Sequence, residues 1–397
     1  MNATSISSTR RYDIDWLRVL LILAVFIFHS MRFFDQDGWH IKNIDTYLGV
    51  QIVIVFLSRW MMPAIFLISG FSTFYALGKR HPGRFLKDRS LRLLIPLLVG
   101  LFTHVPLQGF LEEVHHAGYS GTFWQWYPSI FNGLWLFGGN FNWIGNHLWY
   151  LEVLFIFSLV CLPLFLWLGS GSGKRALAWL GEKLSAPGAV YLMILPTLLI
   201  SFTLDGSNGS ILTSEDFGGW NLPNHLIFFL SGFLLASSAR MQASIRKLRW
   251  ISLAAGIVIF AGGGYLAVTI GEAAFGTPEH RILLTISNTA CWTWLYAILG
   301  FGMERLNFRS PLLDYANEAV LPFYVFHQTV LLAVGFFVVR WAVPDIAKWA
   351  VIASSSFVII MLLYEFLVRR VNLLRVLFGM KPVHRERVVQ RPAVQAR

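Results

Sequence analysis

Residues Asp13 to Phe34 read DIDWLRVLLILAVFIFHSMRFF. An apolar run of about 20 residues spans a bilayer as a helix, because a helix satisfies its backbone N–H and C=O groups internally. This one carries Asp15 and Arg18 near its start and His29 deep inside. Eleven residues separate Arg18 from His29. At about 100° per residue they fall within roughly 20° of one face, about 16 Å apart along the axis. One helix face therefore has a guanidinium near one membrane surface and an imidazole well within the span. Ionisable groups at that depth are costly and mark a site or a pathway. The plainer alternative is an imidazole satisfied by an interhelical hydrogen bond.

The rest of the chain agrees with that first helix. Of its 397 residues, 56% are hydrophobic and 13% charged, and the mean hydropathy is +0.59. A soluble domain of this length is excluded; the expected fold class is an all-α polytopic membrane protein. Ten spans are expected, at about 14–34, 50–76, 90–110, 147–168, 188–204, 222–238, 250–270, 282–302, 317–340 and 347–368. They make up one transmembrane domain over 12–370, followed by a basic tail over 371–397. The first run follows Arg10 and Arg11 as a signal peptide would, but it is too long and lacks a small-residue cleavage site, so it is expected to be retained.

The net charge of +11 raises the question of nucleic acid. Most of the 32 Lys and Arg fall in alternate connections, however, and the densest is GKRHPGRFLKDRSLR at Gly78–Arg92. That is a topology signal, which places both termini in the cytoplasm and removes the case for a nucleic-acid partner. Cys161 and Cys291 lie far apart in apolar runs and read as packing residues. The sequence GSGSGK ending at Lys174 lacks the features of a phosphate-binding loop and reads as a flexible connection.

Span directions give each polar residue a depth. His29 lies about 8 Å below the outer end of its helix. Glu152 enters from outside to about the same depth, His147 sits at the outer rim, and His327 rises to mid-membrane. A His, a Glu and a second His then converge in the outer half, which suits a general base with an orienting partner. Glu152 is the expected orienter. For each histidine the structural alternative stays open: an interhelical hydrogen bond for His29 and His327, an interfacial anchor for His147. Arg89 and Arg92, three residues apart, read either as anchors on lipid phosphates or as a cytoplasmic phosphate clamp. Glu112, Glu113, His115 and His116 lack a fixed metal-ligand spacing, so no metal is expected. The loop aromatics around Trp124 and Trp126 could stack on sugars but serve equally as an interfacial belt.

DWLR followed ten residues later by His29, SGF at Ser69–Phe71, RSLR at Arg89–Arg92 and HLWYL at His147–Leu151 resemble the membrane acyltransferase 3 family. WH at Trp39–His40, YEFLVRR and FGMKPV are similar to its glucan biosynthesis branch. The resemblance covers about Tyr12 to Val383. It implies a bacterial inner-membrane enzyme that O-acylates an envelope saccharide from acyl-CoA. In that branch the donor is succinyl-CoA and the acceptor a periplasmic glucan. It makes His29 the catalytic histidine, Arg18 its motif partner, and Arg89 and Arg92 donor-binding residues. Arg59, His147, His327, Trp39 and His40 are the expected substrate-binding residues, with Arg59 the cation for a succinyl carboxylate. Whether His29 acts as general base or forms an acyl-histidine stays open. So do acetyl transfer to another polysaccharide and a transporter for glucan or lipid-linked sugar.

Overall fold

The computed structural model describes residues 10–134, 139–205, 211–214 and 217–383. The end of the expected basic tail lies outside the described residues. The first helices are α1 (Tyr12–Met31), α2 (Leu48–Leu77), α3 (Pro82–Arg89), α4 (Ile95–Phe102), α5 (Val105–His116) and α6 (Phe123–Trp126). Then come α7 (Trp149–Val160), α8 (Leu162–Leu168), α9 (Gly171–Leu184), α10 (Ile194–Leu204) and α11 (Leu222–Ser237). The last are α12 (Ala239–Ile270), α13 (Pro278–Arg305), α14 (Pro311–Val338), α15 (Asp345–Leu362) and α16 (Asn372–Leu377). No strand is present among the described residues, and the protein is an all-α polytopic membrane protein.

Every span expected from the sequence falls on helix. Among the described residues, seven helical stretches are long and apolar enough to cross a membrane, and the pair Asn146–Val160 and Leu162–Leu168 makes an eighth bent by 49°. Pro163 sits in the first turn of α8, where its missing N–H and fixed φ interrupt the helix. Two shorter apolar helices, Ala189–Leu204 and Leu222–Ser237, occupy the remaining two segments. The GSGK of Gly171–Lys174 is helical and opens α9, against the flexible connection expected there. A Cβ on Gly173 would meet the Trp167 carbonyl oxygen at 2.1 Å, so glycine is there for close packing.

Helix α14 runs through the middle of the bundle, with 61% of its apolar window buried, while α12 buries only 11%. Lipid is the natural solvent for the outward face of α12. The tightest crossing joins α2 to α11 through two SGF tripeptides, Ser69–Phe71 and Ser231–Phe233. A Cβ on Gly70 would lie 1.8 Å from the Phe229 carbonyl oxygen, and one on Gly232 would lie 1.8 Å from that of Leu67. Small residues let backbones approach this closely in a membrane, where close packing rather than water drives helix association.

Between α3 and α4 the chain makes a π-helical turn, Ser90–Leu94, and a second one, Leu363–Val368, ends α15. Such turns carry one extra residue and cluster at functional sites. The C-terminal segment folds back beneath α14. Buried Arg375 donates to Glu318 at 2.7 Å, and the rings of Phe378 and Phe326 lie 4.5 Å apart.

Candidate active site

A cavity of about 280 Å³ opens among α1, α2, α3, the π-turn, α7 and α14. Its lining includes Arg18, Arg80, Arg89 and Arg92 against one carboxylate, Asp88, which pairs with Arg80 at 2.7 Å. Arg18 is held from three sides, by Asp15 at 2.9 Å, Ser72 at 2.8 Å and Asn317 at 3.2 Å. Arg89 donates to Thr73 Oγ1 at 2.7 Å and lies over the Phe85 ring. Arg18, Arg89 and Arg92, picked out by sequence spacing, thus meet in one space. Arg80, Tyr150 and Tyr324, which also line it, were not. Arg80 looked like one of many topology-setting cations, and neither tyrosine carries a spacing signal.

The cavity's inner end is built from Tyr150, Tyr324 and aliphatic residues of α1, α2 and α7. The Tyr150 hydroxyl meets Ser69 Oγ at 2.7 Å, and Tyr324 donates its hydroxyl to the His147 carbonyl. Beyond Tyr324 lie three imidazoles. His29 Nδ1 is 3.2 Å from His327 Nε2, and the His327 and His147 rings stand nearly perpendicular, 5.0 Å apart. His327 is 1% and His147 6% exposed, whereas His29 is only half-buried. Of the three, His29 is the most exposed.

Hydrogen-bond partners fix the protons. His327 Nδ1 faces the Tyr324 carbonyl, and a carbonyl only accepts, so Nδ1 carries the hydrogen. Neutral His327 then has a bare Nε2. Its contact with His29 Nδ1 needs a proton between the two nitrogens, and His29 must supply it. The Val25 carbonyl, 2.9 Å from the same Nδ1, demands the same assignment. His29 Nε2 is left with the lone pair. His147 is fixed likewise, Nε2 donating to the Val325 carbonyl at 3.1 Å and Nδ1 accepting from the Gln108 amide at 3.1 Å.

Gln108 itself is fully buried. It donates to Thr329 Oγ1 at 2.6 Å and accepts from Gln328 at 3.1 Å. With Leu148 and Leu151, both 0% exposed, it packs a buried layer beside the imidazoles. Sequence reasoning passed over Gln108 and Thr329, since a lone amide or hydroxyl in an apolar helix has no periodic signal.

On the far side of His29 the segment between α1 and α2 forms a roof. Trp39 lies 6.1 Å from the His29 ring, centroid to centroid. The Trp39 carbonyl accepts from His116 Nε2 at 3.0 Å, and His40 Nδ1 meets Glu112 at 2.5 Å. Trp39 and His40 are thus near the site, and the acidic–histidine run at 112–116 is engaged in holding them. Asp35 is buried between Arg32 and Lys42. Burial pushes its carboxyl up and the Lys42 ammonium down, against the pull of their own pairing.

Two expected members do not join. Glu152 is not hydrogen-bonded to His29; its Oε2 is buried without a hydrogen-bond partner, and the group that meets His29 is His327. Arg59 donates to Ser287 of α13 at 2.8 Å and so is turned towards α13. Depth along a helix leaves rotation about the helix axis undetermined.

The chain matches the family model described as an acyltransferase domain over residues 11–365. It is 26% identical over 410 residues to the Glucans biosynthesis protein C of Escherichia coli strain K12, covering 98% of this chain and 99% of the relative. The proteins of the same name from Escherichia coli O157:H7 and from Escherichia coli O9:H4 strain HS match at the same identity and coverage. No solved structure matches the chain.

Proposed function

This chain belongs to the membrane acyltransferase family that its sequence matches, and from that premise we propose that it moves an acyl group from acyl-CoA to a hydroxyl of a glucan, with His29 as general base. The observation that carries the reading is the arginine-lined cavity whose inner end abuts the imidazole cluster. Four guanidiniums against one carboxylate suit the phosphates of a nucleotide, because the planar fork of arginine matches phosphate oxygens. Arg18 and His29 stand about 16 Å apart along α1, a span for the pantetheine arm to bridge. The relatives are named for glucan biosynthesis, which makes a glucan the acceptor of choice, presented beneath Trp39 and His40. The arginine side is then cytoplasmic, the Trp39 side periplasmic, and the membrane the bacterial inner membrane.

In the reaction His29 Nε2 takes the proton of the acceptor hydroxyl as its oxygen attacks the thioester carbonyl. The tetrahedral adduct expels the CoA thiolate, and His29 returns the proton to sulfur. The products are an ester and free CoA. Base assistance of this kind contributes about 10² to 10⁴ in rate. Succinyl is the donor acyl group that the resemblance brings. With Arg59 turned to α13, its carboxylate has to be met at the outer end of α1, where Arg32 and Lys42 stand beside Asp35.

Purified protein given succinyl-CoA or acetyl-CoA with a glucan tests the reading through thiol release. We expect glucan-dependent release of CoA, lost in His29→Ala with the protein still folded. Glucan movement across proteoliposomes without thiol release would replace the enzyme by a transporter. Release undiminished in His29→Ala would remove the base.

A further inference from the structure

We propose that His327 is the positioning residue of this acyltransferase, an inference that rests on reading His29 as the base. Its bare Nε2 accepts the Nδ1 proton of His29 alongside the Val25 carbonyl, which reinforces the tautomer that leaves His29 Nε2 free to act and shares the positive charge once His29 has taken a proton. The observations are geometric. The His29–His327 contact is 3.2 Å, and the backbone carbonyls of Val25 and Tyr324 each require the proton arrangement it needs.

Every wall around His327 supports the same orientation. The Tyr324 ring lies 5.3 Å from it and the His147 ring 5.0 Å. His147 is locked by Gln108 and the Val325 carbonyl, which also accepts from His104 at 3.0 Å. Swinging His327 away from His29 would break its bond to Tyr324 and drive it into these rings. His327 is therefore a fixed acceptor.

The arrangement also accounts for a histidine where soluble hydrolases place a carboxylate behind the base. A carboxylate at this depth would be a buried charge with a heavy desolvation cost. A neutral imidazole supplies the acceptor lone pair without one. During transfer the Nδ1 proton stays between the two rings while the acceptor's proton moves to Nε2 and then to sulfur. The balance of protons is the same as for His29 alone, so His327 stabilises the imidazolium without adding a step.

The test uses full-length protein, thiol release from acyl-CoA with glucan, and two variants. His327→Leu removes the acceptor. His327→Gln puts an amide oxygen near the position of Nε2. The titratable and charged groups facing the pair are His147 and His104, Tyr324, His40 paired with Glu112, and Arg32 paired with Asp35, all present in both variants. Misorienting a base costs about 10² in rate, so we expect His327→Leu to lose kcat by that order with KM for acyl-CoA within about twofold of wild type. We expect His327→Gln to restore at least tenfold over Leu, with the acidic limb of kcat/KM moved to lower pH because an amide oxygen stabilises an imidazolium less well than an imidazole does.

Equal activity of Leu and wild type, or an unmoved acidic limb in Gln, would overturn the proposal. Equal loss in Leu and Gln with both proteins folded would do so as well. If His327→Leu does not fold, the Gln variant decides alone through its pH profile. Because His29→Ala reports on the base itself, an inactive His29→Ala beside a fully active His327→Leu would sink only the positioning role.

Discussion

At the scale of single residues, the site divides between groups whose position could be read from spacing and groups whose neighbours only the fold supplies. Arg89 and Arg92 belong to the first kind. On the proposed reading each charge-assisted hydrogen bond they would make to a donor phosphate is worth about 1.5–3 kcal/mol, so either Arg→Ala change should raise KM for acyl-CoA about tenfold or more while leaving kcat near wild type. Steady-state kinetics with varied acyl-CoA checks this, and a change confined to kcat would move the donor elsewhere. Glu152 belongs to the second kind. Its Oε2 has no hydrogen-bond partner, so Glu152→Gln should keep thiol release within about twofold and leave thermal stability equal or higher, since a neutral amide is cheaper to bury than a lone carboxylate. A loss of rate beyond tenfold would reinstate it as the orienter.

At the scale of elements, the helices were legible because their signal is local. A run such as Val19–Phe28 has one low-energy state in lipid, whatever it packs against. Pairings were not legible, because rotation about a helix axis depends on partners distant in sequence; hence His327, not Glu152, stands beside His29. The SGF of Ser69–Phe71 was legible as a motif but not as a mechanism. The reciprocal contacts of Gly70 and Gly232 show a packing role. Gly70→Ala and Gly232→Ala should each destabilise the α2–α11 crossing by at least about 1–3 kcal/mol, the usual range for overpacking. Here a backbone carbonyl must move. Thermal denaturation in detergent measures the effect, and unchanged melting of both would contradict the crossing. The π-turn at Ser90–Leu94 offers an element-level test of the donor site. Deleting Leu91 would convert the turn to α-helix and rotate Arg89 by about 100° relative to α4. Acyl-CoA affinity should fall at least as far as in Arg89→Ala.

At the scale of the whole molecule, the arginine cavity and the Trp39 roof stand towards opposite ends of α1, and a layer of buried side chains lies between them. Gln108, Leu148 and Leu151 are all 0% exposed, and the polar groups among them bond to one another. The overall charge bias gave the sequence reading a sidedness, but the buried layer was invisible to it. That layer's function is spread over residues from α5, α7 and α14 that have no common pattern along the chain.

The layer has a further consequence. A catalyst fed from two compartments is a potential short circuit for whatever gradient separates them. On the proposed reading the donor is held at the arginines and the acceptor beneath Trp39, with the buried residues Gln108, Leu148 and Leu151 between them, so that only an acyl group is handed across. Vesicles loaded with the protein should therefore hold a proton gradient as long as empty ones do, even while turning over, with their lumenal pH as the gauge.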